Sequence, residues 1–427
     1  MPEFLRLSPP TEALQTLLRA LPDREHAAEM IDTSNGLGRA TAENVRSPHP
    51  LPEFPRSTVD GYVVRARDTF GVSESLPGYL TLVGEVPMGD APSFVLHPGA
   101  CGLIHTGGML PVGADAVVML EYTQTVCTGG QMPISTTEIE IARAVAEGEN
   151  VIHIGEDVGA DQVVLVAGVR LRPAEIGGCM ALGIVQLRVV TKPIIGIISS
   201  GDEVVAPGHR PRPGQVRDVN SYSLAAVVEE AGGEPALYGI VPDSLEAMKS
   251  VVAKALSECE AVVITAGSSA SARDTTAEAI ASLGAPGVLV HGVNVRPGKP
   301  TILAVCDGKA VIGLPGNPVS ALVIAGLFVV PVIEKLLGLK VLRPRPSVLA
   351  KLTVNVPSQA GREDWIAVRL LGNGKWEMGN GEARYLAEPL FGKSNLIISL
   401  AAADGLMCIS PDATGVSAGE MVEVVLM

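Results

Sequence analysis

The stretch Lys192-Pro193-Ile194-Ile195-Gly196-Ile197-Ile198-Ser199-Ser200-Gly201-Asp202-Glu203 sets the architecture of the chain. Isoleucines on both sides of one glycine, bounded by proline before and a Ser-Gly turn after, read as a strand covered on both faces. Downstream the pattern repeats. Helical periodicity at 221–231 leads to a strand at 235–241, a helix at 243–256, a strand at 261–265 and a helix at 275–283. Strands near Val288, Ile302 and Val311 and a long apolar helix after Pro318 complete the unit. Strands alternating with helices predict crossover connections and a mostly parallel sheet. In such a sheet ligands bind outside the carboxyl ends of the strands, so the residues just after each strand carry the functional information.

Upstream, residues 11–21 place Leu14, Leu17, Leu18 and Leu21 on one helical face, and a second helical stretch is expected at 24–31. From Pro48 to about Ile141 the texture becomes short β-type runs, such as 79–83 and 116–120, punctuated by proline and glycine. This is a β-rich insert. Beyond it, a strand at 163–166, a helix at 174–182 and a strand at 186–190 are expected to pack with the first fifty residues. After Arg345 the helices stop. Short strands at 347–356, 364–371, 396–400, 406–409 and 421–426 predict a C-terminal β-barrel or sandwich. The expected fold class is therefore multi-domain α/β plus β. Its divisions are a discontinuous support (1–50 with 148–191), the insert (51–147), the α/β domain (192–338) and the β-barrel (339–427).

Composition narrows the function. The 427 residues are 47% apolar but only 3% aromatic, which argues against a base-stacking platform, and the net charge of -14 repels polyanions. Nucleic acid and anionic membranes are poor partners. An anionic ligand must instead be held locally, by helix N-termini, a few cationic side chains or a divalent cation. Six cysteines lie far apart without a C-x-x-C pair, so neither a disulfide frame nor a zinc site is signalled. The N-terminus lacks an apolar signal core. The longest apolar run, 319–333, is interrupted by Pro331 and falls short of the roughly 20 residues that span a bilayer. A soluble, cytoplasmic protein is expected.

Three acidic positions follow strands: Glu203, Asp243 and Asp274. Asp243-Ser244-Leu245-Glu246 also reads as a helix cap with its returning glutamate, and Asp274 as a cap of the next helix. Glu203, in a glycine-flanked turn, caps nothing obvious. Together the three suit Mg²⁺ bound by one or two carboxylates plus substrate phosphates. The loop 265–271, with Gly267, Ser269 and Ser271, offers amides and hydroxyls that can cradle an oxyanion. In Arg296-Pro297-Gly298-Lys299-Pro300 the prolines stiffen the backbone around a lysine, and Leu314-Pro315-Gly316-Asn317-Pro318 opens a helix. Within the insert, 56–62 and Thr106-Gly107-Gly108 are turns with polar tips, and His105 reads as a surface histidine.

In order along the chain, these segments resemble the molybdopterin molybdenumtransferase family, which includes the C-terminal domain of gephyrin. The family's S-x-M-D-G-Y is met by Ser57 to Tyr62, T-G-x-x-x-P-x-G-A-D-x-V-V by Thr106 to Val118, and T-G-D-E-L by Ser200 to Val204. G-I-V-x-D is met by Gly239 to Asp243, K-P-G-K-P by Arg296 to Pro300 and L-P-G-N-P-V-S by Leu314 to Ser320; Gly361-Arg362 and Gly392-Lys393-Ser394 resemble the tail. Ala266 and Ser271 stand where the pattern has glycine, Arg296 where it has lysine, and Val59 where it has methionine.

The resemblance implies a homodimer that inserts molybdate into adenylated molybdopterin with Mg²⁺-dependent release of AMP. The adenylyltransferase of the same pathway is then a candidate partner. It implies catalytic roles for Asp60, Thr106, Asp157, Glu203, Asp243 and Asp274, with Mg²⁺ on Glu203, Asp243 and Asp274. The ligand would be held by Gly267, Ser269, Ser271, Arg296, Lys299, Pro315, Gly316, Asn317, Arg362 and Ser394. The alternative is a non-catalytic homologue that carries molybdopterin or acts as a scaffold. A phosphatase or nucleotide hydrolase on the same core leaves the insert and tail motifs without a role.

Overall fold

In the computed structural model, which describes residues 7–127, 137–266, 270–372 and 384–427, the alternation after Lys192 builds a six-stranded sheet. Its spatial order is Glu234–Val241, Ile194–Ser200, Ala261–Ala266, Lys309–Pro315, Ile302–Cys306 and Pro286–His291. The first four strands run parallel, and the last two extend the sheet antiparallel. Because side chains alternate across a strand, each strand feeds two cores. Ile195, Ile197, Val263 and Ile312 pack with Leu224, Val228, Phe328 and Ile333 of helices Asn220–Ala231 and Pro318–Leu336. Ile198, Val262, Ile264 and Val311 pack with Met248, Val252 and Ile280 of helices Leu245–Glu258 and Ala270–Ala281. The helix Pro10–Ala20 adds Ala13 and Leu17 to the first of these cores.

The helix Pro318–Leu336 has 19 residues and is long and apolar enough, by length and composition, to cross a bilayer, yet half of its apolar window is buried in the protein. It also runs through Pro331, where the sequence suggests an interruption. A π-helical segment, Ala325–Val329, lies just before the proline. Its wider turn accommodates the ring and the missing N–H.

The insert is a second six-stranded sheet, ordered Ala116–Met119, Gly61–Val64, Ala100–Ile104, Gly78–Glu85, Thr137–Ile141 and Thr123–Cys127. On either side of it in sequence, Ala28–Asp32 pairs antiparallel with Gln186–Val190. The expected helix at 24–31 is thus not formed: its second half, from Ala28, is a strand, and its first half is irregular. A five-residue ladder with a distant segment outweighs the weak local preference for helix.

After residue 346 five strands close a barrel: Glu363–Gly372, Tyr385–Pro389, Ser347–Leu352, Met421–Leu426 and Gly405–Ile409, the last pairing back to the first. Val295–Arg296 joins this barrel parallel to Glu363–Gly372 and ties it to the α/β domain. The expected strand at 396–400 is instead the short helix Ile397–Ala401, which buries Leu400 and exposes Ile398. That apolar run is too short for its periodicity to separate helix from strand. Tyr385–Pro389 is a strand the sequence did not suggest.

Phe328 is fully buried between sheet and helices, so Phe328→Ala should cost about 3–5 kcal/mol, read as a fall in the urea midpoint. Ile398→Ala, at a side chain 78% exposed, should stay within about 0.5 kcal/mol of the parent.

Candidate active site

The parallel strands end where their connections diverge. After Ile194–Ser200 the chain crosses to the neighbouring strand on one side, and after Ala261–Ala266 it leaves toward the other. This divergence opens a crevice between the two strand ends. It holds a cleft of ≈ 360 Å³ lined by Ser199, Ser200, Glu203, Asp218, Asn220, Thr265, Gly316 and Asn317, with Asn395 and Ile397 of the C-terminal domain on one wall.

Glu203 reaches the cleft because the strand turns sharply at Gly201. That glycine has φ +142°, and a Cβ there would lie 2.8 Å from Glu203 Oε2. A two-strand flap then forms, Val204–Val205 beside Val216–Arg217, so that Glu203 precedes one strand and Asp218 follows the other. Next to the cleft, the Ser200 hydroxyl donates to Asp243 Oδ1 at 2.9 Å, and the Asp243 N–H donates to Asp202 Oδ1 at 3.2 Å. The helix cap is Ser244, whose Oγ accepts the Ala247 N–H at 3.2 Å, not Asp243. Asp243 is thereby left to bond the cleft-lining Ser200.

The helix expected from residue 275 begins at Ala270. Asp274 and Ser271 consequently lie within it rather than ahead of it, and Asp274 is not its cap. The alanines at 270 and 272 favour this earlier start. Gly267 and Ser269 lie outside the described residues, as do the side chains of Ser271 and Asp274.

Pro315, Gly316, Asn317 and Ser394 come together. The Gly316 carbonyl accepts from Asn220 Nδ2 at 2.8 Å, Asn317 Nδ2 donates to Ser394 Oγ at 3.0 Å, and the Val319 N–H donates to the Ser394 carbonyl at 3.0 Å. Arg296 and Arg362 also meet, on the buried carboxylate of Asp364, at 3.7 Å and 2.7 Å. Lys299 is exposed, on a turn whose Lys299 carbonyl accepts the Val293 N–H at 2.9 Å.

A separate cluster forms in the insert. Asp60 Oδ1 accepts the Thr106 N–H at 2.8 Å and the Thr106 hydroxyl at 3.3 Å, while His105 lies 3.6 Å from Asp60 and 3.3 Å from Glu85. The Thr106 N–H, with help from the hydroxyl and His105, holds the Asp60 carboxyl below the usual carboxylate range. Gly61 is required here, since a Cβ would fall 2.0 Å from the Val118 carbonyl oxygen. Asp157 is exposed in a turn, its N–H donating to the Leu51 carbonyl at 3.1 Å. None of Asp60, Thr106 and Asp157 lines the cleft of its own chain.

Asp218 and Asn220 escaped the sequence reading. The signal was present as Asp-Val-Asn ahead of a helix, which looks like capping alone; the Ser221 N–H does donate to Asp218 Oδ1 at 3.1 Å. Burial pushes the Cys101 thiol up to about 12 and the Cys306 thiol to about 11, which keeps them from acting as nucleophiles. A larger groove of ≈ 730 Å³ lies at the amino ends of the strands, beside Pro193 and Glu260, with an apolar lining of Leu14, Leu18, Leu21 and Leu336. The strand-end polar residues are not part of it.

Glu203 and Asp218 give the cleft two hard carboxylates without imidazole or thiolate among its lining residues. That donor set fits Mg²⁺. Among the described residues no three His, Cys, Asp or Glu converge as a metal centre. The ion's remaining ligands would therefore be water and substrate phosphate oxygens.

This architecture has known counterparts. Residues 8–183 match the MoeA N-terminal region (domain I and II), 196–335 the family described as "Probable molybdopterin binding domain", and 349–427 the MoeA C-terminal region (domain IV). The molybdopterin molybdenumtransferase of Bacillus subtilis is 30% identical over 406 residues, 95% of this chain and 91% of that one. The molybdopterin molybdenumtransferase of a Nostoc species is 35% identical over 320 residues, 74% of this chain and 71% of that one. The crystal structure of the molybdopterin biosynthesis MoeA protein from Pyrococcus horikoshii superimposes with a TM-score of 0.81 at 32% identity, covering 99% of this chain and 100% of that one. With all three MoeA regions present in order and relatives matched over most of their length, the chain belongs to the MoeA family of molybdopterin molybdenumtransferases, transferases of molybdenum cofactor biosynthesis.

Proposed function

We propose that this chain, as a homodimer, inserts molybdate into adenylated molybdopterin and releases AMP in a Mg²⁺-dependent step. The observation that supports this most is the strand-end cleft, where Glu203 and Asp218 share one space with three hydroxyls and the Gly316-Asn317 turn. A phosphoanhydride carries negative charge into a chain that is itself at -14, so its charge must be offset at close range. Bound Mg²⁺ would polarise the phosphoanhydride oxygens. Glu203 and Asp218 would hold it, with Asp243 as a further carboxylate beside the cleft and Asp274 in the role the family resemblance implies. Lys299, Arg296 and Arg362 would meet the molybdate, and Ser394 would fix Asn317 through its hydrogen bond.

The insert supplies the argument for the dimer. Asp60 is ionised, oriented by Thr106 and half exposed, yet it lines no part of its own chain's cleft. In a two-fold dimer the insert of one subunit would deliver Asp60 and Thr106 to the cleft of the other, with Asp157 coming from the adjoining support.

Purified protein given adenylated molybdopterin, molybdate and Mg²⁺ should release AMP. Glu203→Gln should slow that release by roughly tenfold to a hundredfold, the scale of one lost charged ligand. Full turnover with EDTA present contradicts the metal's role, and tight molybdopterin binding without AMP release identifies a carrier instead.

Asp60→Ala and Glu203→Ala subunits should each form inactive homodimers. Co-expressed, about half of the dimers are mixed, each with one intact cleft, so activity should return to roughly a quarter of the parent. Background activity from demonstrably mixed dimers would place the whole site within one subunit.

A further inference from the structure

Asp364 is the most deeply buried carboxylate at the seam between the α/β domain and the barrel, its side chain 3% exposed. It lies on Glu363–Gly372, directly opposite Arg296 in the parallel pairing that joins the two domains. The Glu363 N–H donates to the Asn294 carbonyl at 3.1 Å and Asn294 Nδ2 donates to the Gly361 carbonyl, which fixes the register on both sides. No charge belongs in such a place unless it is paired.

Its pairing is directional. Arg362 Nε donates to Asp364 Oδ1 at 2.7 Å and Arg362 Nη2 donates to Oδ2 at 3.2 Å, a two-pronged contact along one edge of the guanidinium. Arg362 Nη1 donates to Gln359 Oε1 at 3.2 Å. A guanidinium has five N–H groups, so these bonds leave one N–H on each terminal nitrogen. The Arg362 side chain is 27% exposed, so the pinned guanidinium is partly open to solvent. Arg296 is held far more loosely, at 3.7 Å with 65% of its side chain exposed.

We propose that Asp364 is a positioning residue that pins Arg362 along one edge, so that the two remaining N–H groups form a preset fork for two oxygens of a tetrahedral oxyanion, with Arg296 as an exposed, loosely held second cation beside it. This rests on the placement of molybdate at these arginines in the proposed function. A planar fork held in advance loses little freedom on binding, and matches paired oxygens in a way a point charge does not.

The sign of one substitution separates this role from simple charge balance. Asp364→Asn removes a negative charge beside the arginines, and on electrostatics alone it should tighten molybdate. Loss of the fork's anchor should instead weaken it by about tenfold, the scale of one charge-assisted hydrogen bond. The measurement is calorimetric titration of the full-length protein with sodium molybdate, with melting temperature recorded for each variant. In the Arg362→Ala background Asp364→Asn should add no further weakening, which a merely structural role in the seam would not produce.

If Asp364→Asn does not fold, Asp364→Glu, which keeps the charge and displaces the fork by one methylene, carries the same expectation. Unchanged or tighter molybdate binding in whichever variant folds overturns the proposal. Parental affinity in Arg362→Ala would refute the oxyanion site itself, whereas lost affinity there with parental affinity in Asp364→Asn would refute only the part assigned to Asp364.

Discussion

A sheet covered on both faces forces polar chemistry to its ends, and the site depends on that constraint. Ile195, Ile197 and Ile198 and residues 261–264 are all buried, with alternate side chains committed to two separate cores. Polar side chains begin where the strands stop, at Ser199, Ser200 and Thr265. Because the crossovers leave these adjacent strands in opposite directions, no connecting helix covers the gap between them. The fold thus creates the cleft before any residue is chosen to fill it.

The cleft is completed from outside the α/β domain. Asn317 is tied to Ser394 and the Val319 N–H to the Ser394 carbonyl, so the Gly316-Asn317 turn and the barrel's 394–397 segment hold each other in place. The short strand Val295–Arg296 anchors the other side of the seam beside Asp364. These contacts are polar and directional, in contrast with the apolar packing inside each domain. They place the barrel at a defined angle to the strand ends, which is what a site assembled from two domains needs.

The order of strands and helices after Lys192 was legible because burial on both faces leaves continuous apolar runs, and the helices between them keep their own period. Residues 24–31 and 396–400 are each too short for periodicity to decide: Ala28–Asp32 takes its state from a ladder with a distant segment, and Ile397–Ala401 forms a short helix. In the site, Glu203 was legible because it sits in a glycine turn with nothing to cap. Asp218 and Asn220 were hidden by a capping pattern that is also real. For Asp243 the reverse held, since its neighbour Ser244 took the cap. The bond from Thr106 to Asp60 spans 46 residues of sequence, and the resemblance to the family, rather than any local pattern, joined the two.

A crystal structure of the protein grown with AMP and Mg²⁺ would show directly whether the strand-end cleft is the nucleotide site. AMP is expected in that cleft, its phosphate near Glu203 and the Gly316-Asn317 turn, with the ion on carboxylate oxygen. Nucleotide bound instead in the larger groove at the amino ends of the strands, beside Leu18 and Lys335, with the strand-end cleft empty, would contradict this assignment.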